Sequence, residues 1–214
     1  VDGINGIDAV VDYDSLANLI SADSSFTANL GSGMGGGGCN LKYPEGLDGE
    51  YITEELQVST NYTVPIGKHL YIIHLQNYGD NSARLEINGI EIGQGFYNDQ
   101  DRINFPLMLN ENDVLSFNAT SNNGAFNGML VDAKIPNPVT FFLTPNSNYT
   151  VISGKKLVIN HIKSDNNSGY LRINGVAIAQ GLNNDQDRIN FPLVCNPNDV
   201  ITIDDDAAFN GYLV

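Results

Sequence analysis

The sequence carries the stretch NDQDRINFPL at residues 98–107 and repeats it letter for letter at residues 184–193. The similarity continues on both sides of this block. Shorter identical segments follow in the same order: NYTV at 61–64 and 148–151, NG at 88–89 and 174–175, NDV at 112–114 and 198–200, and FNG at 126–128 and 209–211. Self-similarity of this kind is the signature of a repeated structural unit. The sequence therefore predicts two copies of one module.

The repeat boundaries divide the chain into four parts. We assign residues 1–51 to an N-terminal anchoring and assembly segment and residues 52–131 to the first copy. Residues 132–138 form a linker, and residues 139–214 form the second copy. The linker contains two prolines, which restrict the backbone and make a short connection stiff.

Strand signals are dense within each copy. Asn88-Gly89 and Asn174-Gly175 each separate two short apolar stretches. An Asn-Gly pair tolerates the positive φ angles of a type I′ turn, so both sites predict a two-residue hairpin. Other apolar stretches alternate with Gly, Asn, Asp and Pro, which are typical turn residues. We expect an all-β chain with two tandem small β-sandwich domains of jelly-roll-like kind.

The N-terminal segment carries one helix signal. Tyr13, Leu16 and Ile20 have the spacing of one apolar helical face. A lone helix of this length is marginal in water, so we expect it to pack on the β domains or on another subunit. We therefore treat these residues as candidates for assembly.

A glycine-rich run follows at residues 31–38, directly before Cys39. Gly/Ser runs usually act as flexible tethers, and close packing of backbones about a symmetry axis is the alternative. Cys39 is a further assembly candidate because a thiol at this place is suited to cross-link subunits.

The charge balance excludes some classes of partner. The 214 residues contain 25 acidic and 10 basic side chains, which gives a formal net charge of −15. A nucleic-acid backbone or an anionic membrane surface would be repelled by this field. No apolar run approaches the roughly 18 to 20 residues of a membrane span. We expect neither nucleic acid as a partner nor a membrane-spanning segment.

Catalytic sequence motifs do not occur. The chain has no nucleophile elbow, no P-loop, no zinc-protease motif and no C-x-x-C pair. His74 and His161 occupy equivalent positions in the two copies, and we interpret them as structural or surface residues. Cys195 stands where the first copy has Leu109, so we expect it in the core as a small apolar side chain. The sequence favours a protein that is not an enzyme.

The repeated block contains paired carboxylates. Asp99 with Asp101, and Asp185 with Asp187, place two carboxylates at i and i+2, which suits a hard cation such as calcium. The full calcium-loop pattern is absent, because Ile103 stands where the pattern needs Asp or Asn. A structural turn with local ion pairs is the favoured interpretation. We therefore expect no cofactor, and calcium is the alternative.

Exposed aromatic side chains are the usual platform for a sugar ring. Tyr78, Phe96 and Tyr97 fall in predicted loops of the first copy, whereas the second copy has Leu182 and Asn183 in place of the last two. A glycan site built from these residues would therefore belong to one copy. Scattered surface aromatics are the alternative interpretation.

Several segments resemble a known β-module. They are YTVPIGKHLYI at 62–72, INGI at 87–90, NENDV at 110–114, FNGMLV at 126–131, and DYDSLANLI at 12–20 with the later GGGGC at 35–39. The module is similar to those of tail-fibre, head-fibre and surface proteins of phages and bacteria of the Bacteroidetes group. This resemblance implies an extracellular or virion-exposed structural or adhesive protein, often trimeric, whose partners are itself and other virion or appendage proteins.

We therefore expect a non-enzymatic protein of a phage fibre, spike or bacterial surface appendage. It would attach through its N-terminal segment and expose the duplicated modules. The alternative is a carbohydrate-binding module for cell-surface glycans, assisted by calcium.

Overall fold

The computed structural model describes eight stretches of the chain: 41–57, 60–77, 83–94, 106–118, 124–134, 136–164, 169–180 and 192–214. Every described residue belongs to the compact unit Asn40–Val214. The described part is all β, and it contains no helix. The predicted N-terminal helix lies outside the described residues.

The first copy contributes eight strands, numbered in chain order: β1 (Glu50–Leu56), β2 (Tyr62–Thr63), β3 (Lys68–Asn77), β4 (Arg84–Ile87), β5 (Ile90–Gln94), β6 (Leu107–Leu109), β7 (Val114–Asn118) and β8 (Gly124–Asp132). They form two antiparallel sheets, in the orders β1-β8-β3-β6 and β2-β7-β4-β5. Each sheet takes its strands from this copy.

The second copy repeats the arrangement with eight further strands: β9 (Asn137–Leu143), β10 (Asn148–Thr150), β11 (Leu157–Ser164), β12 (Tyr170–Ile173), β13 (Val176–Gln180), β14 (Leu193–Cys195), β15 (Val200–Ile203) and β16 (Ala207–Leu213). Its antiparallel sheets have the orders β9-β16-β11-β14 and β10-β15-β12-β13. Counted from the first strand of each copy, the two strand orders are the same. The two segments therefore share one strand arrangement.

Alternating side chains build one core inside each pair of sheets. In β4 of the first copy, Leu85 and Ile87 are buried while the residues between and before them are not. Side chains of a strand point alternately to its two faces, so one face meets the opposite sheet. The two largest apolar clusters follow this pattern, one centred in each copy, and Ala208 of the second copy joins the first cluster. Cys195 belongs to the second cluster and is fully buried, which confirms its predicted place in the core.

The Asn-Gly hairpins form as predicted. Asn88 has φ of 53° and Gly89 has φ of 77°, and the second copy repeats these values with 52° at Asn174 and 79° at Gly175. Both central residues of a type I′ turn need positive φ, which Asn and Gly tolerate best. The turns join β4 to β5 and β12 to β13.

The repeated Asn-Asp-Val segment ties each hairpin to the neighbouring turn. The Asn88 amide donates to Asp113 Oδ1 at 2.7 Å, and its carbonyl accepts from the Val114 backbone N–H at 2.8 Å. In the second copy Asn174 donates to Asp199 Oδ1, also at 2.7 Å. This hydrogen bond makes the largest contribution to lowering the pKa of the Asp199 carboxyl group. The repeated Asn-Gly and Asn-Asp-Val residues therefore stabilise the turns of each copy.

The two copies pack directly on each other. Strands β5 and β6 of the first copy contact β9, β11 and β16 of the second. A third apolar cluster contains residues of both copies: Tyr71, Met108, Met129, Val131, Val158 and Tyr212. As a result, β16 is buried along its whole length, with its two faces covered. Burial of apolar area on this scale is the main force that holds such surfaces together.

Candidate functional site

None of the site residues predicted from the sequence falls in the described part of the chain. They are the glycan candidates Tyr78, Phe96 and Tyr97, the cation candidates Asp99, Asp101, Asp185 and Asp187, and the assembly candidates Tyr13, Leu16, Ile20 and Cys39. Their roles stay predictions. Within the eight described stretches, no group of three His, Cys, Asp or Glu side chains is placed to hold a metal ion.

One side-chain amide joins the two copies. The Asn210 carbonyl oxygen accepts from the Met108 backbone N–H at 2.8 Å, and the Asn210 Nδ2 donates to the Met108 carbonyl at 2.8 Å. The same Nδ2 donates to Thr140 Oγ1 at 3.0 Å. Asn210 is fully buried. Because Met108 lies on the edge strand β6, the amide satisfies backbone groups that a further strand would otherwise pair.

A buried histidine makes a second polar contact between the copies. The Nε2 of His161 lies 2.8 Å from the carbonyl oxygen of Ile92, so this nitrogen carries the proton and donates it. Burial lowers the pKa of His161 to about 4, and the nearby Lys163 ammonium acts in the same direction. The imidazole is therefore neutral at pH 7. His74, its equivalent in the first copy, is exposed.

A cleft of about 390 Å³ opens where the copies meet; its lining comprises Gly89, Ile90, Glu91, Phe142, Lys163, Asp206, Ala207 and Ala208. We call it the inter-copy cleft. The first three residues come from the β4–β5 hairpin and the remainder from the second copy. Ligand sites typically have volumes of roughly 300–1,000 Å³. The cleft is therefore large enough for a small molecule.

Two charged side chains of the inter-copy cleft form an ion pair with each other. Glu91 forms an ion pair with Lys163 across the two copies, and its other oxygen lies 3.1 Å from Arg84. The Lys163 side chain is 12% exposed and Glu91 is 20% exposed, so this pair is shielded more than a surface pair. Carboxylate and ammonium groups held in this way present fixed hydrogen-bond partners to a polar ligand.

One wall of the inter-copy cleft is aromatic. Phe142 is 48% exposed, which is unusual for a phenylalanine in a region that is otherwise packed. Asp206 lines the same cleft. An exposed ring beside carboxylates suits a ligand with one apolar face and several hydroxyl groups. Sequence reasoning missed this site because its residues come from separate parts of the two copies and share no motif.

A second buried polar cluster anchors the segment before β1. Glu45 Oε2 accepts hydrogen bonds from His69 Nδ1 at 3.0 Å and from Tyr71 Oη at 3.0 Å. Its other oxygen accepts from the Lys134 backbone N–H at 3.1 Å. Burial, followed by the Glu45 carboxylate, raises the pKa of Tyr71 well above its usual range. We interpret this cluster as structural, because all three side chains are nearly inaccessible.

Burial also makes the Cys195 thiol in the core of the second copy unreactive. It raises the pKa of Cys195 to about 11, so the thiolate is absent at neutral pH.

The described residues hold no helix that is long and apolar enough to cross a membrane.

Comparisons with known proteins give little. No family model matches the chain, and no curated protein matches it. Among solved structures, a conserved protein of unknown function from Pseudomonas aeruginosa PAO1 aligns at a TM-score of 0.30 and 8% identity, over 76% of this chain and 78% of its own. HutD from Pseudomonas fluorescens SBW25 aligns at a TM-score of 0.28 and 11% identity, over 82% of this chain and 79% of its own. These scores are too low to support an assignment.

Proposed function

We propose that the protein is a non-enzymatic structural and adhesive component of a phage fibre, spike or bacterial surface appendage. It would lie outside the cell or on a virion, attach through its N-terminal segment and assemble with itself, with a trimer as the expected state. The sequence resemblance to fibre and surface modules motivates this proposal.

One observation of the structure supports it best. The two copies are joined by an apolar cluster and by the buried contacts of Asn210 and His161, so they form one compact unit. A chain that bears load or presents a surface needs modules that do not swing freely. Relative motion is the default for domains that meet through a small, polar interface, whereas a buried apolar cluster joins these two copies.

We also propose that each copy is a jelly roll. The strand orders 1-8-3-6 and 2-7-4-5, counted within a copy, pair the first strand with the last and give two facing four-stranded sheets. Jelly rolls have eight strands in two such sheets, and they are common in capsid and lectin domains. We keep the proposed copies at residues 52–131 and 139–214; strands β1, β8 and β9 extend one or two residues beyond these bounds.

Imaging tests the structural role. Antibodies raised against residues 40–214 would be used for gold labelling of virions and of intact cells from the source culture. We expect label on particles or on filaments at the cell surface, and none after the antibody is absorbed with the purified chain. Label confined to the interior of sectioned cells would contradict the proposal.

A carbohydrate-binding role is the second candidate, and the inter-copy cleft favours it. Phe142 offers a ring face, while Glu91, Lys163 and Asp206 offer charged partners for hydroxyl groups. Aromatic rings provide large, rigid contact area at low entropic cost. Calcium at the acidic turns would be an accessory to this role.

A glycan array with calcium, and again with a chelator, tests the second candidate. Phe142→Ala should abolish a wild-type signal, whereas Tyr51→Ala should keep it, because Tyr51 is a 58% exposed ring outside the inter-copy cleft. Loss of signal in a Phe96→Ala/Tyr97→Ala variant instead would place the site in the predicted loop. No signal from the wild type at high concentration would remove this candidate.

A further inference from the structure

Equivalent strands of the two copies are buried to very different extents. Ile92 on β5 is fully buried, whereas its repeat equivalent Ile178 on β13 is 46% exposed. Met108 on β6 is fully buried, whereas its equivalent Val194 on β14 is 47% exposed. Val176 is a further apolar residue of β13 and is 62% exposed. We call the surface formed by Val176, Ile178 and Val194 the docking face.

The opposite side of the internal contact shows the same asymmetry. The sheet of the second copy that receives β5 and β6 buries Asn210, His161 and Ala208 to 4% exposure or less. Their equivalents in the first copy lie on β3 and β8. Asn127 and Ala125 are half-buried, and His74 is exposed. We call the surface formed by His74, Ala125 and Asn127 the receiving face.

The backbone of β14 in the docking face has the same strand register as that of β6 in the first copy. Met108 lies opposite Tyr71 in the pairing of β6 with β3, and Val194 lies opposite Val158 in the equivalent pairing of β14 with β11. With the same register, the N–H and carbonyl of Val194 point away from the sheet, as those of Met108 do towards Asn210. An edge with such groups is a template for a further contact.

On the receiving face, Asn127 and His74 have the same local surroundings as Asn210 and His161 have in the second copy. Asn127 Nδ2 donates to Thr53 Oγ1 at 3.0 Å, as Asn210 Nδ2 donates to Thr140 Oγ1 at 3.0 Å. The pairing of β3 with β8 shifts at a bulge just before His74. The pairing of β11 with β16 shifts at the equivalent place before His161. The amide and imidazole are therefore presented by equivalent backbones.

We infer that a second copy of this chain occupies these surfaces. The docking face of one molecule packs on the receiving face of the next, so that the contact between molecules repeats the contact within a molecule. The Asn127 amide bonds the N–H and carbonyl of Val194, in exchange for its present 3.1 Å contact with the Ile52 carbonyl. The His74 imidazole donates to the Ile178 carbonyl. This inference rests on the burial of the two copies and does not depend on the proposed function.

The geometry of this contact has a consequence for assembly. Two different surfaces meet, so each molecule keeps one unused docking face and one unused receiving face. Heterologous contacts of this kind close into a ring or continue as a filament, and they do not stop at a two-fold dimer. Exposed aliphatic side chains clustered at a sheet edge are typical of an interaction site.

Sedimentation velocity of the full chain tests the inference. The docking variant Ile178→Glu/Val194→Glu and the receiving variant His74→Glu/Ala125→Glu each place two carboxylates on one face. We expect the wild type to associate with rising concentration and each variant to associate at least tenfold more weakly. The control Ile66→Glu changes an 80% exposed apolar residue outside both faces and should behave as the wild type does.

Mixing the two variants gives the decisive result. Each variant retains the face that the other lacks, so an equimolar mixture should form a 1:1 dimer and stop there. Recovery of the dimer supports a heterologous contact. A wild type that stays monomeric up to its solubility limit, or a mixture that remains monomeric, would overturn the inference.

A second measurement covers the case in which a glutamate variant loses its far-ultraviolet circular dichroism. The double variant His74→Cys/Ile178→Cys, oxidised at a concentration where the chain associates, should give a ladder of linked chains on a non-reducing gel. The single variants are the controls, because Cys39 is already present. No ladder beyond that of the single variants would count against the contact.

Discussion

At the scale of single residues, the asparagine of the repeated FNG segment makes different contacts in the two copies. Asn127 and Asn210 both donate to a threonine of the neighbouring strand, but only Asn210 also bonds the backbone of the other copy. The sequence predicted that this segment belongs to both modules. It gave no sign that one amide is buried and the other is not, because that burial depends on which face the other copy covers.

Asn210→Ala should lower the free energy of unfolding by about 2–3 kcal/mol, because it leaves the buried N–H and carbonyl of Met108 without partners. The matched variant Asn127→Ala should cost less than about 1 kcal/mol, because Asn127 is half-buried and water can replace its bonds. Urea unfolding of both variants at low protein concentration measures the difference. Equal losses would mean that the Asn210 contact adds nothing to stability.

His161 should make stability depend on pH. Its pKa is about 4 in the folded chain, below the ordinary 6.5, so the unfolded chain binds the proton more tightly. The stabilisation is complete above about pH 6.5 and is lost as the pH falls towards 4, by about 3 kcal/mol in total. His161→Gln removes the titration and keeps an N–H donor. Urea unfolding between pH 7 and 4.5 should show a flatter dependence for this variant, and identical slopes would contradict the assignment.

At the scale of elements, the sequence predicted local structure better than arrangement. The Asn88-Gly89 and Asn174-Gly175 hairpins follow from turn chemistry, which is a property of neighbouring residues. The apolar stretches of β5 and β13 gave no hint that the first is covered and the second is open. Strand order and the inter-copy cleft also escaped prediction, because they depend on contacts between residues that are far apart in the chain.

Gly211 illustrates close packing of neighbouring strands. A Cβ at this position would lie 2.1 Å from the Val158 carbonyl oxygen, which belongs to the paired strand β11. We expect Gly211→Ala to destabilise the fold by about 3 kcal/mol, because backbone has to move. Gly154→Ala is the control: it has a positive φ of 77° but open space around it, so it should cost only about 1 kcal/mol. Thermal unfolding of both variants provides the comparison, and similar losses would contradict the steric argument.

At the scale of the whole molecule, the duplication yields one unit with unequal halves. Strands β11 and β16 are covered on both faces, while the equivalent strand β3 of the first copy leaves His74 exposed. Two identical modules placed side by side in a heterologous contact always leave one of each face unused. The asymmetry thus follows from the manner of packing, without any difference in fold between the copies.

The coupling between the copies provides the last prediction. Met108 is fully buried in the apolar cluster that both copies share, so Met108→Glu would force a carboxylate into that cluster at a cost of roughly 3–5 kcal/mol. The core inside each copy lies elsewhere and would remain intact. Residues 40–214 of the wild type should unfold in one transition, with circular dichroism and tyrosine fluorescence coincident, whereas Met108→Glu should separate the two signals as the copies unfold independently. Val194→Glu makes the same change at the equivalent but 47% exposed position, and it should keep the single transition. Two transitions in the wild type, or one undisturbed transition in Met108→Glu, would show that the interface does not couple the copies.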